Sequence, residues 1–274
     1  MKFKGCIILG VVSVIIGSAM VMGVLIKNDF KIKNISNEDL TNVEKTFSGE
    51  ITTIKYDCSI DNVLIKAVDR EDIYVKGKEV SNFKYNFDVS NNTLTIQNEP
   101  SFWYQKVFMV NLFSMYAKAN EEFVIEVPNN KAYDLDIKMD AGSFKLNDIE
   151  ITDGKFEFNA STNKFENVTI ANGTFDINAA TSTMTNVNLG NVNCDFSAAT
   201  LKINSSTIDT LYLNGSASTI NFESKVNNSA HFDLSAATLR INLIDGKENY
   251  MINGIGNSEK KITYTESASS VTIE

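Results

Sequence analysis

The sequence predicts an all-β protein: a β-solenoid, or β-helix, of coils about 19 residues long, preceded by one amino-terminal transmembrane helix. Three observations carry this expectation. The octapeptide SAATLKIN at 197–204 returns as SAATLRIN at 235–242, 38 positions later. Alanine recurs every 19 residues without slippage, at Ala141, Ala160, Ala179, Ala198, Ala217 and Ala236. Residues 5–26 form a run of 22 residues without a charge.

As a helix rising about 1.5 Å per residue, that run would cross a hydrocarbon core of roughly 30 Å. Lys2 and Lys4 precede it, yet it is long and no A-x-A site closes it, so an uncleaved signal anchor is expected. Cys6 stands ahead of the run, whereas a lipobox cysteine would follow it. Lys27, Lys31 and Lys33 behind the span nearly balance the lysines in front, but long domains translocate largely regardless of such charge. A single-pass cell-membrane protein with an extracellular body is expected, with a cytoplasmic body as the alternative. Residues 1–26 are then the anchor, the polar stretch 27–48 a juxtamembrane spacer, and 49–274 the folded domain.

Between the alanines, apolar residues alternate with polar ones, the period of a strand. Four residues before each alanine lie Ile137, Phe156, Phe175, Cys194, Leu213 and Phe232; two before it lie Met139, Phe158, Ile177, Phe196, Gly215 and Leu234. Five after it lie Leu146, Phe165, Met184, Ile203, Phe222 and Ile241. These columns are the expected core. Coils of this length hold only short strands and tight corners, and their backbone groups stay unpaired unless the next coil lies about 4.8 Å away, so coils must stack. The alanine is expected to face inward where a corner leaves no room, and the hydroxyls two residues later, such as Thr200, to bond there.

The regular coils span 131–245. Residues 49–130 alternate without clean register and read as irregular coils, and 246–274 as a terminal cap. Segment 101–119 interrupts them with the only tryptophan, many large apolar residues and no acid. It is expected to pack over the solenoid as a helix or hairpin, or to offer Phe102, Trp103, Tyr104, Phe108, Phe113 and Tyr116 to a partner or membrane surface.

A net charge of −9 makes nucleic acid a poor partner. Outward-phased Glu157, Asp176, Asp195 and Asp233 form an acidic column, and Lys145, Lys164, Lys202 and Arg240 a basic one. Solvated charge is the expected role of both. A divalent cation on Glu157, Asp176 and Asp195, or a glycosidase pair among such carboxylates, are the alternatives weighed. His231, the sole histidine, cannot build a histidine-based metal site, and no phosphate-cradling glycine loop or CxxC pair occurs. No catalytic residue, metal ligand or cofactor is therefore assigned. Cys194 falls in a core column and is expected as a buried thiol, and the N-x-S/T matches, such as Asn167 to Thr169, follow from composition.

The stretch EEFVIEVPNNKAYDLDIKMDAGSFKLNDIEI, residues 121–151, resembles the bacterial family of candidate adhesin domains. Val127-Pro128, Leu135, Ile137 and Gly142 occupy the family's strand end, alternation and glycine, and the similarity extends over about 49–273. The resemblance implies a β-solenoid on an envelope-anchored protein, with no catalytic residues to carry over. The expected function is a non-enzymatic surface module binding an envelope protein or polysaccharide. The rivals are a carbohydrate-active enzyme, whose activity would fall in Asp176→Asn or Asp195→Asn, and a regulatory envelope component that engages a membrane protein through Trp103.

Overall fold

The computed structural model describes residues 40–79, 83–100 and 122–274. The expected anchor at 1–26, the spacer as far as residue 39 and the apolar segment 101–119 lie outside the described residues. Among the described residues no helix is long and apolar enough to cross a membrane. The fold is all-β, and the 18 strands of the described residues join in one continuous sheet. In chain order they are β1 (Thr41–Phe47), β2 (Thr53–Val68), β3 (Ile73–Glu79), β4 (Phe83–Ser90), β5 (Thr93–Pro100) and β6 (Phe123–Pro128). Then come β7 (Tyr133–Asn147), β8 (Glu150–Phe158), β9 (Ser161–Glu166), β10 (Thr169–Asn178), β11 (Thr181–Thr185) and β12 (Asn188–Ser197). The last six are β13 (Thr200–Ser216), β14 (Thr219–Ser235), β15 (Thr238–Leu243), β16 (Met251–Ile252), β17 (Lys261–Ser267) and β18 (Ser270–Ile273).

From β7 to β15 every ladder is parallel and almost every pair joins residues 19 apart. Ile137 pairs with Phe156, Phe156 with Phe175, Phe175 with Cys194, Cys194 with Leu213, and Leu213 with Phe232. The three expected core columns are all buried. Stacked phenylalanines fill the early coils: Phe156 lies 4.7 Å from Phe175, nearly parallel, and 5.3 Å edge-on from Phe165. Cys194 and Cys58 are buried thiols, and burial pushes the Cys194 thiol far above its ordinary range.

The recurring alanines line up as expected but do not face inward. Ala179, Ala198, Ala217 and Ala236 are exposed and left-handed, with φ between 48° and 51°. The left-handed kink throws the following side chain into the core instead, so the buried small residues are Ser161, Ala180, Ala199, Ser218 and Ala237. The bonding hydroxyl also belongs to that column: Ser218 Oγ donates to the carbonyl of Ser216 at 2.8 Å. Left-handed conformation costs an L-residue roughly 1–2 kcal/mol, and glycine's extra chain entropy roughly 0.5–1 kcal/mol. Ala198→Gly is therefore expected to raise the melting temperature, by about 0.5–1 kcal/mol of stability. Overpacking belongs one residue later: Ala199→Leu is expected to cost about 1–3 kcal/mol in the same thermal melts.

A second left-handed corner is also spaced by 19: Asp148, Asn167, Asn186 and Ser205, with φ from 50° to 57°. Asparagine and aspartate tolerate this region best among residues with a side chain. The amides also bond up the stack, Asn167 Nδ2 to Asp148 Oδ1 at 2.9 Å and Asn186 Nδ2 to Asn167 Oδ1 at 2.6 Å. The Asn167 to Thr169 match is thus one step of a structural ladder.

Both ends depart from the expected organisation. β2 is a coil in the parallel stack, with Cys58 opposite Met139 and Asp61 opposite Gly142, and β5 and β6 pair with its two halves on the other side. β4 closes antiparallel on β5 and β3 on β6, so these are capping strands and not further coils. β1, drawn from the expected spacer, adds antiparallel to β3.

At the other end, β17 and β18 resume the parallel stack on β14 and β15. Ala268, with φ of 53°, follows Ala236 by 32 residues, so the supposed cap holds one more coil reached through a long excursion. Tyr250 fastens that excursion: its hydroxyl donates to Asp245 Oδ1 at 2.5 Å and accepts from the Val226 N–H at 3.0 Å, while Lys260 Nζ donates to Asp245 Oδ2 at 2.8 Å.

Candidate binding face

The outward side chains of β2, β7, β8, β10, β12, β13, β14 and β17 stand in straight rows, because the ladder register is constant. One row carries Asp57, Lys138, Glu157, Asp176, Asp195, Asn214, Asp233 and Thr265. Two residues earlier on each strand is a parallel row of Lys55, Asp136, Lys155, Thr174, Asn193, Tyr212, His231 and Thr263. The amino-terminal part of this face is zwitterionic and the carboxy-terminal part acidic and amide-rich.

The sequence-expected acids do come together in one column, but as acceptors in side-chain ladders. Along its own strand Asn178 Nδ2 donates to Asp176 Oδ1 at 2.9 Å; between rungs Asn214 Nδ2 donates to Asp195 Oδ1 at 2.7 Å and Thr265 Oγ1 to Asp233 Oδ1 at 2.7 Å. Among the described residues no group of histidine, cysteine or acidic side chains has the arrangement of a metal site. Glu157 meets Lys155 Nζ at 2.5 Å, and that hydrogen bond holds its carboxyl below the usual glutamate range despite partial burial. A glycosidase acid needs the opposite shift. His231 is half-buried and its Nδ1 lies 2.7 Å from Thr263 Oγ1, which leaves no Ser-His-Asp arrangement around it.

The expected basic column is present but interrupted: Lys145, Lys164, Lys202 and Arg240 on β7, β9, β13 and β15 share one row with Thr183 of β11 and Asn221 of β14, and Lys145 Nζ lies 2.8 Å from Glu122. The expected partner contacts Phe102, Trp103, Tyr104, Phe108, Phe113 and Tyr116 lie outside the described residues.

Two features escaped the sequence reasoning. Tyr212 is 54% exposed, the only aromatic among the exposed large apolar side chains of the described residues. Its place between inward Leu211 and Leu213 in an alternating strand was the available signal. The second is a buried carboxylate. Asp61, 2% exposed, occupies the inner corner where later coils place a small residue. It accepts the hydroxyls of Tyr56, at 2.5 Å, and Tyr85, and the Asn62 N–H at 3.0 Å. Tyr85 in turn stacks on Phe123 with ring centroids 4.1 Å apart, tying β4 and β6 to β2.

Burial, reinforced by the Asp61 charge, raises both tyrosines well above their ordinary value, and burial pushes Tyr250 up to about 12. A raised native value favours the neutral phenol, so its stabilisation is complete below the unfolded value of about 10 and is lost as pH rises beyond it. Circular dichroism is expected to stay native to about pH 10, with unfolding above that accompanied by a cooperative rise in tyrosinate absorbance. Simple independent titration of these phenols without unfolding would contradict it.

The family model of Toastrack DUF4097 matches residues 51–253. Similar solved structures include a candidate adhesin from Bacteroides fragilis, 10% identical, with a TM-score of 0.48 over 87% of this chain and 99% of that one. A candidate lipid-binding protein from Parabacteroides distasonis is 13% identical, with a TM-score of 0.46 over 87% of this chain and 98% of that one. A candidate adhesin from Parabacteroides merdae is 8% identical, with a TM-score of 0.43 over 87% of this chain and 97% of that one. No curated protein matches the chain.

Proposed function

This chain belongs to the Toastrack DUF4097 family, and we propose that it is a non-enzymatic binding module held at the cell envelope, whose stacked coils form a β-solenoid with an adhesin-like role. The observation that carries this reading is the constant register of the outward rows. Side chains from Glu157 to Thr265 repeat at one rung spacing along a stiff sheet, pinned by amide and hydroxyl ladders. Such a surface suits many weak contacts along an extended partner, where multivalency raises overall affinity without a deep pocket. The depressed Glu157 carboxyl and the ladder bonds on the aspartates favour binding over acid–base chemistry. The uncharged run 5–26 supports a single-pass anchor; its lysine flanks suit either orientation, and the length of the body favours its translocation to the outside.

The test is crosslinking in intact cells that express the full chain. Reversing Asp176, Asp195 and Asp233 to lysine is expected to abolish the crosslinked species, while deleting 101–119 leaves them. The converse result would transfer the contact to the apolar segment and its Trp103, the regulatory alternative. Protease treatment of the same cells is expected to cleave the body; protection would place it in the cytoplasm.

A further inference from the structure

We propose that the stretch of the face centred on Tyr212 is a subsite for an amino-sugar glycan, a deepening that rests on the binding-module reading above. An aromatic ring on open solvent within a polar row, two rungs short of its carboxy-terminal end at Thr263, costs hydration without serving the core. Its flat apolar face matches the axial C–H face of a pyranose ring, in the way aromatic groups anchor ligands while neighbouring polar groups orient them.

The neighbours supply those polar groups. Asn193 and His231 are the rungs on either side of Tyr212, and His231 is held in place by Thr263, its ring centroid 5.9 Å from that of Tyr212. In the adjacent row, Asp195 and Asn214 are tied through Asp195 Oδ1 and Asn214 Nδ2, so Asp195 Oδ2 and Asn214 Oδ1 remain available to hydroxyl or ammonium donors. Asp195, Asn214 and Asp233 also line a surface groove, which runs along the side of their row away from Tyr212, between that row and Ser197, Ser216 and Ser235. Rungs about 4.8 Å apart come close to the rise of one sugar in an extended β-linked chain, so successive rungs meet successive sugars. The acidic row selects the charge: it repels uronic or phosphorylated glycans and attracts amino sugars.

The purified full-length chain is titrated with β-1,4-linked glucosamine oligomers, fully acetylated or fully deacetylated, at low and high salt. Both are expected to bind, the deacetylated form more tightly at low salt. Tyr212→Ala is expected to weaken both by about tenfold or more, roughly 1.4 kcal/mol, with the melting temperature unchanged, and Tyr212→Phe to bind nearly as wild type. Asp195→Asn with Asp233→Asn is expected to remove the preference for the deacetylated oligomer. Binding unaffected by Tyr212→Ala overturns the subsite. No binding of either oligomer by the wild type also overturns it, and if charge reversal of the face still abolishes the cellular crosslinks, the binding-module reading survives that failure.

Discussion

Gly142→Ala is expected to lose at least about 3–4 kcal/mol, enough to unfold the amino-terminal coils at ordinary temperatures. A Cβ at this position would stand 1.9 Å from the carbonyl oxygen of Asp61 and 2.8 Å from its carbonyl carbon. Both are backbone atoms fixed by the β2–β7 ladder, so neither can turn away. The φ of +113° adds strain for any L-residue. Because β2 carries the stacked Tyr85–Phe123 cap through Asp61, the damage should reach β4 and β6. The discriminating control is Gly254→Ala, which shares a positive φ but meets nothing within 4 Å, and is expected to cost only about 1 kcal/mol. Urea unfolding of both variants measures the contrast, and equal midpoints would remove the close approach as the reason for glycine.

Phe156→Ala should cost about 3–5 kcal/mol, the range for emptying a closed aromatic site. Phe156 is fully buried and lies against Phe144, Phe158, Phe165 and Phe175 on three successive coils. Its neighbours cannot collapse into the space, since each is fixed by its own parallel ladder. Stacked repeats contact only their neighbours, so the loss should appear as local opening between β7 and β10. Hydrogen exchange is expected to speed up in those strands and stay slow in β14. Uniform loss of protection would mean that the coils unfold as one unit.

The regular coils were legible because three inward columns and one alanine share a single period, the mark of stacked repeats. The handed detail was not. Left-handed corners favour glycine, asparagine and aspartate over alanine, so the sequence points Ala198 inward, whereas the kink turns Ala199 inward. The Asp148–Asn167–Asn186 column was not legible because only Asn167 belongs to a recognisable pattern, an N-x-S/T match, and the pairing of all three depends on the coil register. The final coil was missed because the long excursion hid SASSVTIE, a third version of the corner octapeptide. Alternation also says nothing about strand direction, which is why the antiparallel β3 and β4 read as irregular coils, while the polar composition of β1 read as spacer. On the face, the acids were found by phase but their ladder partners were not, and Tyr212 went unnoticed among polar neighbours.

The two ends of the stack are built differently from its middle, and every middle unit has the same length. Nineteen residues can therefore be excised or inserted between β8 and β12 without disturbing either closure, and each such change shortens or lengthens the body by one rung, about 4.8 Å. The height of the molecule is thus quantised in whole steps, like notches on a ruler, while its two extremities keep their own chemistry.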